Sequence, residues 1–335
     1  MTQPILIWGA GAIGGVIGAV LAREGHAVQV VDIVPEHVAA MREGLRIEGP
    51  VEAFVQPLPA ALPAEVTGQY ERIILAVKAH HTEAALEMAL PHLAPGGHVV
   101  SAQNGLNERV IAARIGAENT VGCFVNFGAD WLEPGRILYG NRAAVAVGEL
   151  DGQVSDRARE IHGLLSLVEP EAVLTDNIWG YLWGKMGYGA LLFATALTPS
   201  SMSDAMARPA HRSAYERLGQ EVMRLAYAEG VQPLGFNGFD PAAFRDGDAA
   251  GMATSLDRMV AHNRKTAKTH SGIWRDLAVR KRKTEVDAQL GIMLEIAQAR
   301  GLAMPVLSRL VELIHDIEEG RREQSDALPD LLVTA

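Results

Sequence analysis

The first 32 residues, MTQPILIWGAGAIGGVIGAVLAREGHAVQVVD, constrain this chain more than any other stretch. Ile5–Trp8 is a short apolar run that reads as a buried strand, and Gly9, Gly11 and Gly14 follow it in the spacing G-x-G-x-x-G. A helical apolar pattern runs from Ala12 to Ala22, Gly25-His26 makes a turn, and Ala27–Val31 is a second strand closed by Asp32. Each glycine has a separate task in such a unit. Gly9 permits the tight turn, Gly11 lets backbone approach a pyrophosphate, and Gly14 lets helix and strand pack closely. The helix N-terminus, through Gly11, Ala12, Ile13 and Gly14, then turns unpaired N–H groups toward an anion, with Ala10 inside the turn. The unit reads as a dinucleotide site because the triplet stands between a strand and a helix, with an acid where the second strand ends.

Asp32 bears on which dinucleotide is held. A carboxylate there accepts hydrogen bonds from ribose hydroxyls and repels a 2′-phosphate, and no Arg or Lys lies between Asp32 and Arg42. NAD is therefore expected in preference to NADP. The competing reading of Asp32 is a turn residue after a strand.

A chain of 335 residues is long enough for two domains. Its formal charge of −10 argues against a nucleic-acid partner. Cys123 is the only cysteine, which excludes an intrachain disulfide, and its apolar setting VGCFVNF reads as an inert core thiol. The apolar stretch Ile13–Leu21 is too short to span a membrane, and the chain opens into a strand without a basic leader pattern. The expectation is a cytoplasmic protein with no membrane partner.

Strand and helix signals alternate through the first half, the pattern of a doubly wound α/β sheet of Rossmann type. Strands are expected at Ile73–Val77, His98–Ala102, Thr120–Val125 and Ala172–Leu174, with helices at His81–Ala89, Glu108–Ile115 and Ser155–Leu165. Arg136–Tyr139 and Ala143–Val147 are expected to pair antiparallel around Gly140-Asn141. Beyond Thr175 helical periodicity dominates, with helices expected at Asn177–Leu192, Ala210–Glu229, Met252–Lys268, Glu285–Ala299 and Pro305–Glu319. Gly230–Asp248 reads as an irregular connection. The expected organisation is a dinucleotide-binding domain over 1–175, an all-helical substrate domain over 176–323 and a loosely held tail over 324–335.

A nucleotide domain followed by a helical one puts the expected active site in the cleft between them, beyond the carboxyl ends of the strands. Lys78 ends the strand of Ile74-Leu-Ala-Val-Lys-Ala79, although a strand-end lysine is often only solvated. Asn104 lies in Ser101-Ala-Gln-Asn-Gly105 at another strand end, as a turn former or as an amide for cofactor or substrate. The run DNIWGYLWGKMGYG places Lys185 among Gly180, Gly184, Gly187 and Gly189. Each helical glycine costs up to about 1 kcal/mol relative to alanine, so a ligand or another backbone must pack closely there. That packing is either within one chain or between two, and a homodimer stays open. His80-His81 lacks accompanying carboxylates or cysteines, so no metal is expected.

The G-A-G-A-I-G start, A-V-K-A, Q-N-G, the W-x-K helix and the later T-E-x-D together resemble the ketopantoate reductase (2-dehydropantoate 2-reductase) family, over nearly the whole chain. The resemblance implies that Lys185 is the catalytic lysine, giving a proton to the carbonyl oxygen as hydride arrives. It implies that Glu285, in Thr284-Glu-Val-Asp287, engages a substrate hydroxyl and the lysine, and that Asn104 and Lys78 lie between nicotinamide and substrate. The chemistry is coherent, because hydride addition builds negative charge on oxygen and a nearby cation stabilises it. In the oxidative direction the lysine must accept the proton, which alkaline pH favours.

The departures from the family pattern are specific. Where the family places asparagines four and eight residues beyond the lysine, this chain has Gly189 and Phe193. Where the family has a Ser-Ser pair ahead of an aspartate, this chain reads Ser271-Gly272 before Asp276, and the stretch from Asp276 to Glu285 is one residue longer. Each hydrogen bond lost to a charged substrate is worth on the order of 1.5–3 kcal/mol. Either neighbours such as Ser271, His270 or Asn126 compensate, or the substrate is a different small 2-oxo acid. A dinucleotide-responsive binding protein without catalysis and another hydroxyacid dehydrogenase on the same two-domain plan are the alternatives.

Overall fold

The computed structural model describes residues 4–266 and 269–333. The chain divides into two compact units, Met1–Ile178 and Trp179–Ala335.

In the first unit, strands β1 (Ile5–Trp8), β2 (Val28–Val31), β3 (Leu45–Glu48), β4 (Phe54–Gln56), β5 (Ala60–Ala61) and β6 (Tyr70–Leu75) are followed by β7 (Leu93–Ser101), β8 (Thr120–Val125), β9 (Gly128–Glu133), β10 (Arg136–Asn141), β11 (Val145–Glu149) and β12 (Val173–Leu174). Helices α1 (Ala12–Arg23), α2 (Pro35–Gly44), α3 (Thr82–Ala89), α4 (Asn107–Ile115) and α5 (Asp156–Val168) connect them. The main sheet has the order β12-β11-β8-β7-β6-β1-β2-β5 and is parallel except where β11 meets β8. Side chains alternate across this sheet into two cores. Ile5, Ile7, Val30, Ile74, Val100 and Val121 pack with α1 and α5 on one face. Leu6, Trp8, Val31, Ile73, Leu75 and Val99 pack with α3 and α4 on the other. Burial on both faces is why these strands read as continuous apolar runs.

The expected hairpin of Arg136–Tyr139 with Ala143–Val147 does not form. β10 runs on to Asn141 and pairs with β9 and β3 in a separate sheet of order β4-β3-β10-β9, while β11 joins β8 and β12 in the main sheet. The tight turn lies one strand earlier, at Pro134-Gly135, where Gly135 has φ +78°. Proline followed by a glycine at positive φ is the stronger turn signal. β9 (GADWLE) lacks an apolar run, and its pairing was invisible in the pattern.

His98 lies on β7, 6% exposed, opposite Arg72 of β6. Burial, with Arg157 and Arg72 nearby, pushes its imidazole down to about 4. An unfolded histidine titrates near 6.5, so between those values the unfolded chain binds more protons and stability falls as pH falls. The melting temperature is expected to drop more steeply from pH 7 to pH 4.5 in the native chain than in His98→Gln. Parallel profiles would remove His98 from the acid response.

The second unit holds α7 (Met202–Ala207), α8 (Arg212–Ala228), α9 (Pro241–Asp246), α10 (Ala249–Arg264), α11 (Gly272–Ala278), α12 (Ile292–Ala299) and α13 (Pro305–Glu318). Before them comes α6 (Ile178–Thr195), which starts at the division between the units. The expected irregular connection at Gly230–Asp248 contains α9, because Asp240 accepts Ala242 N–H and Pro241 occupies the first turn. Helix α10 ends at Arg264 rather than Lys268, and Lys268 itself lies outside the described residues. The segment expected as one helix over Glu285–Ala299 opens with a π-helical turn, Asp287–Gly291.

The tail is not loosely held across its described residues. Gln324 donates to the Ala196 carbonyl at 2.7 Å, Arg208 pairs with Asp326 at 2.7 Å, and His211 reaches the Asp326 carbonyl at 2.8 Å. Leu328 and Leu332 are buried. Two leucines four residues apart supply an apolar face that docks, an effect hidden by the polar residues before it.

Candidate active site

In the first unit the expected site residues all follow the carboxyl ends of neighbouring strands of the main sheet. Trp8 pairs with Val31 and Leu75, and Leu75 with Ser101, so β1, β2, β6 and β7 end level with one another. The glycine turn, Asp32, Lys78 and Asn104 all follow these strand ends.

The three glycines of the turn are there for different reasons. Gly9 has φ +97°, and a Cβ on it would come within 2.7 Å of the Val77 backbone nitrogen. A Cβ on Gly14 would collide with the Gly9 carbonyl oxygen and crowd Ala76. Gly11 is different, because a Cβ there meets nothing within 4 Å. The chain itself does not require glycine at Gly11; the open space lies at the N-cap of α1, where no side chain caps the first turn. A cradle that a methyl group would begin to fill, beside the partly positive end of a helix, fits a pyrophosphate.

Asp32 is half-buried after β2, and its Oδ1 accepts Val34 N–H at 3.0 Å. It therefore serves the local turn. The next cation, Arg42, is engaged by Glu65 at 2.6 Å and by the Ala60 carbonyl at 2.8 Å. Lys78 and Asn104 are exposed.

Beneath them lies a buried polar chain that the sequence reading missed. Gln103 Nε2 donates to the Val77 carbonyl and to Thr82 Oγ1, both at 2.8 Å. Thr82 Oγ1 lies 2.8 Å from its acceptor Asn107 Oδ1, and Asn107 Nδ2 donates to the Asn104 carbonyl at 2.6 Å. Gln103, Thr82 and Asn107 are each at most 5% exposed. They tie the loop carrying Lys78 to the loop carrying Asn104. The one available signal was Gln103's place beside Asn104 in the same motif.

In the second unit, α6 presents Lys185 half-buried, with Gly189 one turn further along the same face. Of the glycines before it, Gly184 is explained by backbone rather than by a ligand. Leu234 N–H donates to the Gly180 carbonyl at 2.8 Å, and a Cβ on Gly184 would strike the Leu234 carbonyl oxygen. Gly187 faces Met223 and Phe239. Gly189, by contrast, has open space around its Cβ position, as does Gly272. Phe193 is 1% exposed and belongs to the core.

Ser271 is also buried, and its Oγ accepts Trp274 N–H at 3.1 Å as the N-cap of α11. His270 stacks on Trp274 with ring centroids 3.9 Å apart, and its Nε2 lies 3.3 Å from the Pro199 carbonyl oxygen. Glu285 is half-buried. Its neighbour Thr284 is anchored by Glu318, which accepts Thr284 N–H at 2.7 Å and the hydroxyl at 2.6 Å. The basic run before it folds back, with Arg280 and Arg282 each donating to the buried Asp276 at 2.9 Å and Lys281 at φ +49°. Among the described residues no group of three or more His, Cys, Asp or Glu is placed to hold a metal. None of their helices is long and apolar enough to cross a membrane.

A doubly wound sheet with a dinucleotide turn, followed by a helical unit carrying a lysine and an acid, defines the class of nicotinamide-dinucleotide oxidoreductases. Comparison with known proteins narrows it. Residues 5–152 match the family model of ketopantoate reductase PanE/ApbA, and residues 177–318 match that of its C-terminal domain. The chain belongs to the ketopantoate reductase family. It is 27% identical over 318 residues to a 2-dehydropantoate 2-reductase of Halobacterium salinarum, covering 92% of this chain and 97% of that one. A 2-dehydropantoate 2-reductase of Archaeoglobus fulgidus is 26% identical over 320 residues, covering 95% and 99%. Among solved structures, D-mandelate dehydrogenase with NADH and anilino(oxo)acetate shares the fold at a TM-score of 0.81 and 22% identity, covering 95% of this chain and 99% of that one.

Proposed function

We propose that this chain interconverts a 2-oxo acid, or a related small polar carbonyl compound, with its 2-hydroxy acid, using NAD(H) in preference to NADP(H). When bound, the reduced nicotinamide supplies the hydride. The chain's own residues do the rest. The N–H groups at Gly11–Gly14 hold the pyrophosphate, with Gly9 and Ala10 shaping the turn. Asp32 takes the adenosine ribose hydroxyls. Lys185 gives a proton to the carbonyl oxygen in reduction and takes it back in oxidation, and Glu285 keeps the lysine charged and aimed. Lys78 and Asn104 border the reacting groups, and His270 and Ser271 complete the substrate side. The observation that carries the reading is the half-buried Lys185 on α6, in the W-x-K motif whose lysine the family resemblance implies to be catalytic.

The NAD(H) preference is supported by Asp32 and by Arg42, whose guanidinium is already engaged by Glu65. Ile33, 66% exposed beside Asp32, offers apolar surface there and no charge for a 2′-phosphate. A substrate other than ketopantoate is supported by the open space at Gly189 and Gly272, where the family's amide and hydroxyl are missing. The reading also includes a cytoplasmic location and a homodimer; a dimeric ketopantoate reductase from Staphylococcus aureus shares the fold at a TM-score of 0.72.

The test is a panel of 2-oxo acids and 2-hydroxy acids assayed with both coenzymes. NADH is expected to give a kcat/KM about tenfold or more above NADPH, a difference of about 1.4 kcal/mol or more. A uniform preference for NADPH would overturn the role given to Asp32. Coenzyme binding without turnover on any carbonyl would favour the alternative of a dinucleotide-responsive binding protein, which the lost hydrogen-bonding groups at Gly189 and Gly272 also favour.

A further inference from the structure

His37 is a 1% exposed histidine on α2, a helix that no step of the proposed reaction uses. Its two ring nitrogens are both engaged, and the partners fix the tautomer. Gly135 N–H, in the β9–β10 turn, donates to Nδ1 at 2.9 Å. Nδ1 is therefore bare, and the ring proton sits on Nε2, which lies 2.9 Å from the Ala10 carbonyl oxygen inside the glycine turn. Trp131 of β9 packs edge-on against the ring, with centroids 5.9 Å apart. The turn held by Gly135 belongs to the small sheet, which itself rests on α1. A Cβ on Gly15 of α1 would strike Ile137 of β10 and come within 3.4 Å of Leu45 of β3.

A trans peptide points its C=O and the following N–H in opposite directions. Fixing the Ala10 carbonyl on His37 therefore fixes the Gly11 N–H on the other side, away from the ring. We infer that His37 is a positioning residue for the coenzyme: it latches the Ala10–Gly11 peptide so that the loop offers an N–H, not a carbonyl oxygen, to the pyrophosphate. A flipped peptide would set a partial negative charge against a phosphate and replace a charge-assisted hydrogen bond with repulsion. The small sheet acquires a role in the same step, since Gly135 is what holds the imidazole proton on the side of Ala10.

The inference rests on the dinucleotide reading, and three variants of the full chain separate the two. His37→Leu removes both hydrogen bonds. His37→Asn keeps a polar group near Gly135 but falls short of Ala10, and His37→Gln restores a donor at the reach of Nε2. The readouts are the NADH dissociation constant by fluorescence titration, the KM for the carbonyl substrate, and the melting temperature. We expect His37→Leu and His37→Asn to raise the NADH dissociation constant about tenfold or more, with the carbonyl KM at saturating NADH changed less than about threefold. His37→Gln is expected to return the dissociation constant to within about threefold of the native value. If the native chain binds NADH and His37→Asn and His37→Gln bind it equally well, His37 is only structural and the inference falls alone. If the native chain binds neither NADH nor NADPH, the dinucleotide reading falls and takes the inference with it.

Discussion

Lys185→Ala is expected to lower kcat by about 10²–10⁴-fold, the range over which a positioned general acid acts, while the NADH dissociation constant stays within about twofold. The separation of effects follows from where the lysine stands. It is on α6 of the second unit, whereas the coenzyme turn, Asp32 and the loops of Lys78 and Asn104 are in the first. The helix has packing apart from the lysine, because the Gly180 carbonyl and Gly184 meet the Leu234 backbone. The half-buried side chain can be truncated without opening the core, so the melting temperature is expected to stay within about 3 °C. Turnover equal to that of the native chain would remove Lys185 as the proton donor.

Gly11→Val is expected to weaken NADH binding about 100-fold or more, about 2.7 kcal/mol, with the fold retained. The argument is that, its chain neighbours aside, no atom of the described residues lies within 4 Å of the added Cβ, and Gly11 is extended with a negative φ of −67°. The chain loses only the slight advantage of glycine at a helix N-cap, which lowers the melting temperature by no more than about 4 °C. A protein that keeps its melting temperature and loses its coenzyme identifies the space over Gly11 as the pyrophosphate cradle. Native affinity in this variant would place the coenzyme elsewhere.

The parallel core was legible because buried strands must be continuously apolar, as in Ile5–Trp8 and Ile73–Leu75, and because helices between them must carry an apolar face. The small sheet was not. β4 and β9 are short edge strands with mixed composition, and β10 finds its partners through a register that only tertiary contact decides. At the candidate site the sequence pointed to the residues proposed to bear chemistry, Lys78, Asn104, Lys185 and Glu285. It was silent on Thr82 and Asn107 beneath the loops and on His37 behind the glycine turn, because a buried polar group has no periodicity and is recognised by its partner. The glycines of α6 were read as a sign of close approach, by a ligand or by backbone. The Leu234 backbone accounts for Gly184, Met223 and Phe239 crowd Gly187, and Gly189 faces open space.

The most direct test is a crystal structure of the chain with NADH and an unreactive analogue of a 2-oxo acid. The account predicts the pyrophosphate on the N–H groups of Gly11–Gly14, the ribose hydroxyls on Asp32, and Lys185 Nζ about 3 Å from the oxygen that stands for the reacting carbonyl. Lys185 directed away from that oxygen, with coenzyme and analogue both bound, would contradict it.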